Sequence, residues 1–286
     1  MKLRDILNPA INRSNGQQMF TLRKKAMIRY GVPSAERLLD LKMSVNSVDN
    51  SGETALHIAS KNQNMEMIKF LLGKGANIQA KTKDKNTPLH YATSSDKCSI
   101  EVVEHLITKG AKMDALNSND EAPIEGAIIS GRMNIFNVFI KKGLNITGVP
   151  FGYNLFRRAV GLNKVDFMKR ICELGADYCV DMLSASQGGT FLHMAAGHGS
   201  YEAAEFLIKD GIYIDMPMHN GQTPIFLACS EGHYDIVDLL IKSGSKVDWV
   251  DFSGKTALDY AFKEGRMEIV RLLLATGKFS SKPKKL

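Results

Sequence analysis

The chain has 286 residues, 44% of them hydrophobic, and a formal net charge of +7. No apolar run approaches the ~18 residues a membrane helix needs, and the N-terminal MKLRDILNPAINRSN lacks the sustained apolar core of a secretory signal. Membrane insertion and export by a cleaved leader are therefore not expected.

Residues 1–47 hold nine Lys/Arg against three Asp/Glu, a charge of +6. Residues 278–286 add Lys278, Lys282, Lys284 and Lys285 with no acid, +4, which leaves 48–277 at −3. The basic residues therefore sit at the two ends. A nucleic-acid binder would carry a basic stripe along one face of the fold, so this distribution weighs against nucleic acid as the partner. Four cysteines (Cys98, Cys172, Cys179 and Cys229) follow no zinc-clip spacing and are too few for a disulfide scaffold. A reducing intracellular compartment is expected, the cytoplasm first and the nucleus second.

In chain order, residues 1–18 read as a flexible segment. Residues 19–47 follow, with two short helical stretches around Gly31-Val32-Pro33 and a polar face supplied by Arg23, Lys24, Lys25, Arg29 and Arg37. From there two landmarks keep step. Ala59, Ala92, Ala127, Ala159, Ala195, Ala228 and Ala261 recur about every 33 residues. Gly75, Gly110, Gly143, Gly175, Gly211, Gly244 and Gly277 recur at the same period. The unit is clearest in residues 52–75, GETALHIASKNQNMEMIKFLLGKG, and 221–244, GQTPIFLACSEGHYDIVDLLIKSG. Thr54, Thr87, Thr190, Thr223 and Thr256 suit a helix N-cap, and Pro88, Pro123 and Pro224 suit the first helical position. Met67, Ile68, Phe70, Leu71 and Leu72 give a second helix one apolar face, and Gly75 ends it in the left-handed region.

With NTPLHYA at 86–92 and TFLHMAA at 190–196, the chain resembles the ankyrin repeat family. The resemblance implies an all-α solenoid of helix–turn–helix units joined by short β-hairpin loops. Seven units are expected, at about 48–80, 81–115, 116–148, 149–180, 181–216, 217–249 and 250–277. A divergent capping repeat would occupy 19–47 and a basic tail 278–286. The fourth unit is divergent, with Asn154-Leu155-Phe156-Arg157 in place of the turn motif. The short stretch after Gly277 leaves no room in this sequence for a further module.

Apparent catalytic signals fall on repeat positions. Ser253-Gly254-Lys255-Thr256 lacks the earlier glycine of a phosphate-binding loop, because Trp249 stands there. His57, His90 and His193 each take the fourth position of the turn motif. Whole-repeat spacing separates them by roughly 10 Å, too far for one metal ion. In the resembling family this histidine ties adjacent repeats through backbone hydrogen bonds. His198 and His233 are assigned to the start of second helices. No catalytic, cofactor or metal residue is assigned.

The resemblance implies a non-catalytic scaffold, adaptor or inhibitor, a monomer on its own, that grips one or more partner proteins with its hairpin tips and first-helix edges. The hairpin candidates are Lys83, Asn86, His219, Asn220, Gln222 and Lys255. Large side chains where small or polar ones are usual add Tyr213, Met216, Trp249 and Phe252, since such anchors are enriched in binding hot spots. For Trp249 the competing reading is packing against a neighbouring hairpin. An Asn/Lys/Met-leaning composition and the basic tail leave room for a host-directed ankyrin effector of a pathogen or virus. An enzyme hidden in a divergent repeat is the weaker alternative.

Overall fold

The computed structural model describes residues 32–33, 35–36, 44–147, 151–175 and 188–279. The expectations for 1–18, for most of 19–47, for Cys179 and for the tail beyond Phe279 fall outside these residues. Fourteen helices make seven antiparallel pairs among the described residues. They are α1 (Ala55–Lys61) with α2 (Met65–Gly73), α3 (Pro88–Thr93) with α4 (Ile100–Thr108), and α5 (Glu125–Ile129) with α6 (Met133–Lys141). Then come α7 (Phe151–Gly161) with α8 (Val165–Glu173), α9 (Phe191–His198) with α10 (Tyr201–Lys209), α11 (Pro224–Glu231) with α12 (Tyr234–Lys242), and α13 (Ala257–Lys263) with α14 (Met267–Ala275). The chain divides into two compact units, Met1–Asn145 and Ile146–Leu286. Three pairs lie in the first and four in the second.

Both landmarks have a physical cause. All seven landmark alanines are fully buried, so the smallest side chain that still favours helix lets the helices approach closely. All seven landmark glycines have positive φ, from 68° to 94°. There the N–H three residues past the helix, just after the glycine, reaches back to the last turn, as in Ala76 N to Leu71 O at 2.9 Å and Ser245 N to Leu240 O at 3.0 Å. This closes helix carbonyls that would otherwise lack donors.

Each of the five threonines is an N-cap. Pro88 and Pro224 open their helices as expected. Pro123 does not, since α5 starts only at Glu125. Ala122 offers no hydroxyl at that turn, and the buried Glu125 carboxylate accepts the Ala122 N–H instead, at 3.0 Å. The fourth pair also departs from the motif. Its first helix begins at Phe151, so Asn154 lies within the helix rather than capping it. His198 is corrected too, because it ends α9 rather than starting a second helix, and its Nδ1 lies 2.9 Å from the Met194 carbonyl. His233 does precede α12, as its N-cap.

Glycine is not universal in the hairpins. Lys85 and Asp120 occupy the hairpin position of Gly52 and Gly221 with φ of 59° and 58°. A side chain there costs about 1 kcal/mol, so Lys85→Gly should raise the melting temperature, and an unchanged or lower value would contradict the strain. The sequence of α7 carries Asn154-Leu155-Phe156-Arg157 in place of the turn motif, whereas α11 keeps its Thr223 cap and Pro224. Amide exchange over 151–161 should therefore outpace exchange over 224–231, and equal protection would refute that weakness.

Candidate functional site

The residues that could meet a partner are carried on hairpins whose backbone is tied to the hairpin of the next pair. Lys83 N donates to Ser51 O at 2.8 Å, Ser118 N to Asp84 O at 2.9 Å, and Phe252 N to Asn220 O at 3.0 Å. A second tie comes from the histidines. The N–H groups of Thr54, Thr87 and Thr190 donate to Nδ1 of His57, His90 and His193 at 3.0–3.1 Å. An Nδ1 that accepts leaves the proton on Nε2. Nε2–H then donates to the carbonyls of Asn86, Glu121 and Gln222 at 3.0, 3.0 and 3.2 Å. Each ring caps its own helix and grips the following hairpin.

Other residues vary the same latch. Asp259 Oδ2 accepts Thr256 N at 2.7 Å, as Glu125 does for Ala122. Phe226 cannot, and its ring instead meets Tyr260 edge-on at 5.8 Å. The buried Thr223 hydroxyl is consequently left without a partner. In the fourth pair, Tyr153 and Phe156 pack on Phe191 at 5.1 and 4.9 Å.

Asp251 anchors the last hairpin. Its Oδ1 accepts the N–H groups of Ser253 and Lys255, each at 2.9 Å, and the Ser253 hydroxyl. Its Oδ2 accepts the Tyr260 hydroxyl at 2.8 Å. Burial alone would raise its pKa, but these bonds stabilise the carboxylate and hold it at about 2.

In the second unit the tips expose large side chains. Phe252 is 80% exposed and His219 is exposed. Their rings lie over the glycines of the preceding hairpin, where an added Cβ would meet Phe252 at 2.7 Å from Gly221 and His219 at 2.5 Å from Gly188. Beside the tips, a cavity of about 280 Å³ opens along the first helices, lined by Tyr153, Phe191, Met194, Met218 and Leu227 with Glu231 at its edge. In the first unit a cavity of about 230 Å³ is more polar, with Lys61, Asn86, Tyr91, Asn117 and Glu121 in its wall.

Residues 25–117 and 192–282 match the family model described as ankyrin repeats (3 copies), and 155–208 match that of ankyrin repeats (many copies). The chain belongs to the ankyrin repeat family. An ankyrin repeat protein of fowlpox virus (strain NVSL) is 44% identical over 61 residues, 21% of this chain and 32% of the viral protein. Dog inversin is 42% identical over 66 residues, 22% of this chain and 6% of inversin. The chain thus spans a third or less of the curated relatives it matches. The human ASB11 ankyrin repeat domain superposes with a TM-score of 0.64 at 21% identity, covering 81% of this chain and all of that one, a likeness of fold.

The ankyrin geometry sorts the candidate residues. Phe252, His219, Asn220, Lys255 and Lys83 are exposed on hairpins. Asn86 and Gln222 are half-buried, and their carbonyls take the His57 and His193 bonds. The Asn86 side chain also accepts from Asn117 Nδ2 at 3.0 Å. Trp249 is half-buried, its Nε1 donates to Gly221 O at 3.0 Å, and Lys246 Nζ sits 5.6 Å from its ring. That bond gives Trp249 a packing role between hairpins. Tyr213 is exposed and Met216 half-buried, both on the segment leaving α10 rather than on a tip. Glu125 and Asp251 escaped sequence reading, because neither position looks unusual until its carboxylate is seen to close a turn. Among the described residues no cluster of His, Cys, Asp and Glu is arranged to hold a metal, and no helix is long and apolar enough to cross a membrane.

The histidine latch predicts a pH dependence. Burial lowers the pKa of His90, and lowers that of His193 to about 4 against the raising effect of its Gln222 bond. An unfolded histidine titrates near ~6.5, so the neutral latch contributes its full stability above that pH and loses it as pH falls through about 4. His193→Gln should cost about 1–3 kcal/mol at neutral pH. Its deficit against the parent should shrink between pH ~6.5 and ~4, and a constant deficit across that range would remove the latch from the explanation.

Proposed function

We propose that the chain is a non-catalytic protein-interaction module, a scaffold, adaptor or inhibitor, that holds a partner protein against its hairpin tips and first-helix edges. The ankyrin fold is generally a non-enzymatic interaction module, and the repeat boundaries expected from the sequence are part of this reading. The observation that carries it is Phe252. A phenyl ring that is 80% exposed on a hairpin held by backbone bonds gains nothing evident for the fold, whereas a pre-ordered aromatic anchor suits a binding hot spot. His219, Asn220 and Lys255 stand beside it on the tips, and the cavity walled by Met194, Met218 and Leu227 offers an apolar socket for a partner's side chain. An intracellular site of action is proposed with it.

The fowlpox virus relative favours a second reading, a host-directed ankyrin protein that also acts by binding. Both readings place the work in recognition, and they differ in whose protein is bound.

Paired substitutions test the site. Phe252→Ala should weaken the partner by about 2 kcal/mol or more with little change in melting temperature. Trp249→Ala should lower the melting temperature, since it removes the bond to Gly221 O and opens space between hairpins. A photo-crosslinker at position 252 in the native cell would identify the partner. Undiminished binding by the Phe252 variant would move the interface away from these tips.

A further inference from the structure

The last described helix pair exposes a position that is buried in each of the other six. The residue after each landmark alanine is Ser60, Thr93, Ile128, Val160, Ala196 or Cys229, none more than 1% exposed. In α13 that residue is Phe262, the largest of the series, and it is 67% exposed. Leu274 of α14 is 51% exposed. A repeat face left to water is ordinarily polar, and this one carries a phenyl ring at its centre.

The points where a neighbour docks are also open here. Gly232 lies under Arg266 of the next pair, whose Nε donates to Ser230 O at 3.2 Å, and Gly199 lies under His233. Gly221 lies under Phe252. The matching glycines of the last pair, Gly265 and Gly254, have no atom within 4 Å of an added Cβ.

Charge indicates what covers the face. Asp259, Lys263 and Glu264 are all exposed around Phe262, and among the described residues Lys263 pairs with its neighbour Glu264, at 3.0 Å in solvent. Such a mixed patch has no single sign to attract a charged stranger, but it complements its own rotated copy. Asp259 and Lys263 lie symmetrically about Ala261. Two antiparallel α13 helices crossing there would set each aspartate beside the other copy's lysine, with Phe262 next to the axis. We propose that this open face is a self-association surface, on which two copies of the chain pack their final helix pairs across Phe262 about a twofold axis. A twofold contact closes on itself, whereas head-to-tail stacking on the same face would continue into a filament.

Sedimentation of the full chain tests this from ~1 to ~100 µM. A concentration-dependent monomer–dimer equilibrium is expected, and Phe262→Ser, which installs the residue of the first pair, should raise its dissociation constant at least about tenfold. Lys263→Glu should weaken it as well, by facing glutamate with the other copy's Asp259. Phe252→Ala should leave it unchanged, which keeps this surface separate from the proposed partner site. A parent chain that stays monomeric throughout, or a Phe262→Ser variant that dimerises as well as the parent, overturns the proposal. Should the serine variant fail to fold, Lys263→Glu gives the same two outcomes.

Discussion

The hydrogen bond from one hairpin to the next is the constraint on which this protein depends. A pair of short helices cannot bury both of its faces or satisfy the open backbone groups of its turn by itself. Here the turn is completed by its neighbour. Tip N–H groups donate backwards, to Ser51, Asp84 and Asn220 carbonyls. The histidine rings donate forwards, to the carbonyls of Asn86, Glu121 and Gln222. The hairpins at Asn86 and Glu121 are thereby held by two independent bonds each, and those at Gln222 and Phe252 by one of the two kinds, so exposed tip side chains inherit a defined position without packing of their own.

The latch tolerates substitution because what must be satisfied is a backbone N–H, and several acceptors can satisfy it. Histidine, glutamate and aspartate all do so, at His193, Glu125 and Asp259. Only histidine can then continue to the next hairpin with a donor. Glu125 and Asp259 close their own turn, and Phe226 exchanges the bond for an aromatic contact while stranding the Thr223 hydroxyl. Similar helix pairs therefore differ in what joins them, and unequal local stability follows along a chain whose energies are near sums of repeat and neighbour terms.

The same logic separates residues that carry the fold from residues available to a partner. Trp249 and Phe252 look alike as rare aromatics three residues apart. One spends its indole N–H on Gly221 O, while the other leaves its ring in water over the same glycine. Phe262 is a third case, an aromatic at a position whose equivalents are core. Exposure of a large side chain has a different meaning on a tip, on a stem and on the end of a stack.

By itself the sequence determined the repeat. The 33-residue step, the buried alanines, the threonine caps and the left-handed glycines were all legible because each answers to a local rule of helix start, close approach or helix stop. The spacing of the histidines argued only against a shared metal ion, and their tie between repeats was what the family resemblance implied. Other features needed the tertiary structure. The early start of α7 at Phe151 and the Glu125 carboxylate closing its own turn are seen only in the folded chain, and the bond from Trp249 to Gly221 and the exposure of Phe262 depend on which groups of one pair meet the next. Those pairings join residues about 30 positions apart, and no local pattern records whether a neighbour is present to receive them.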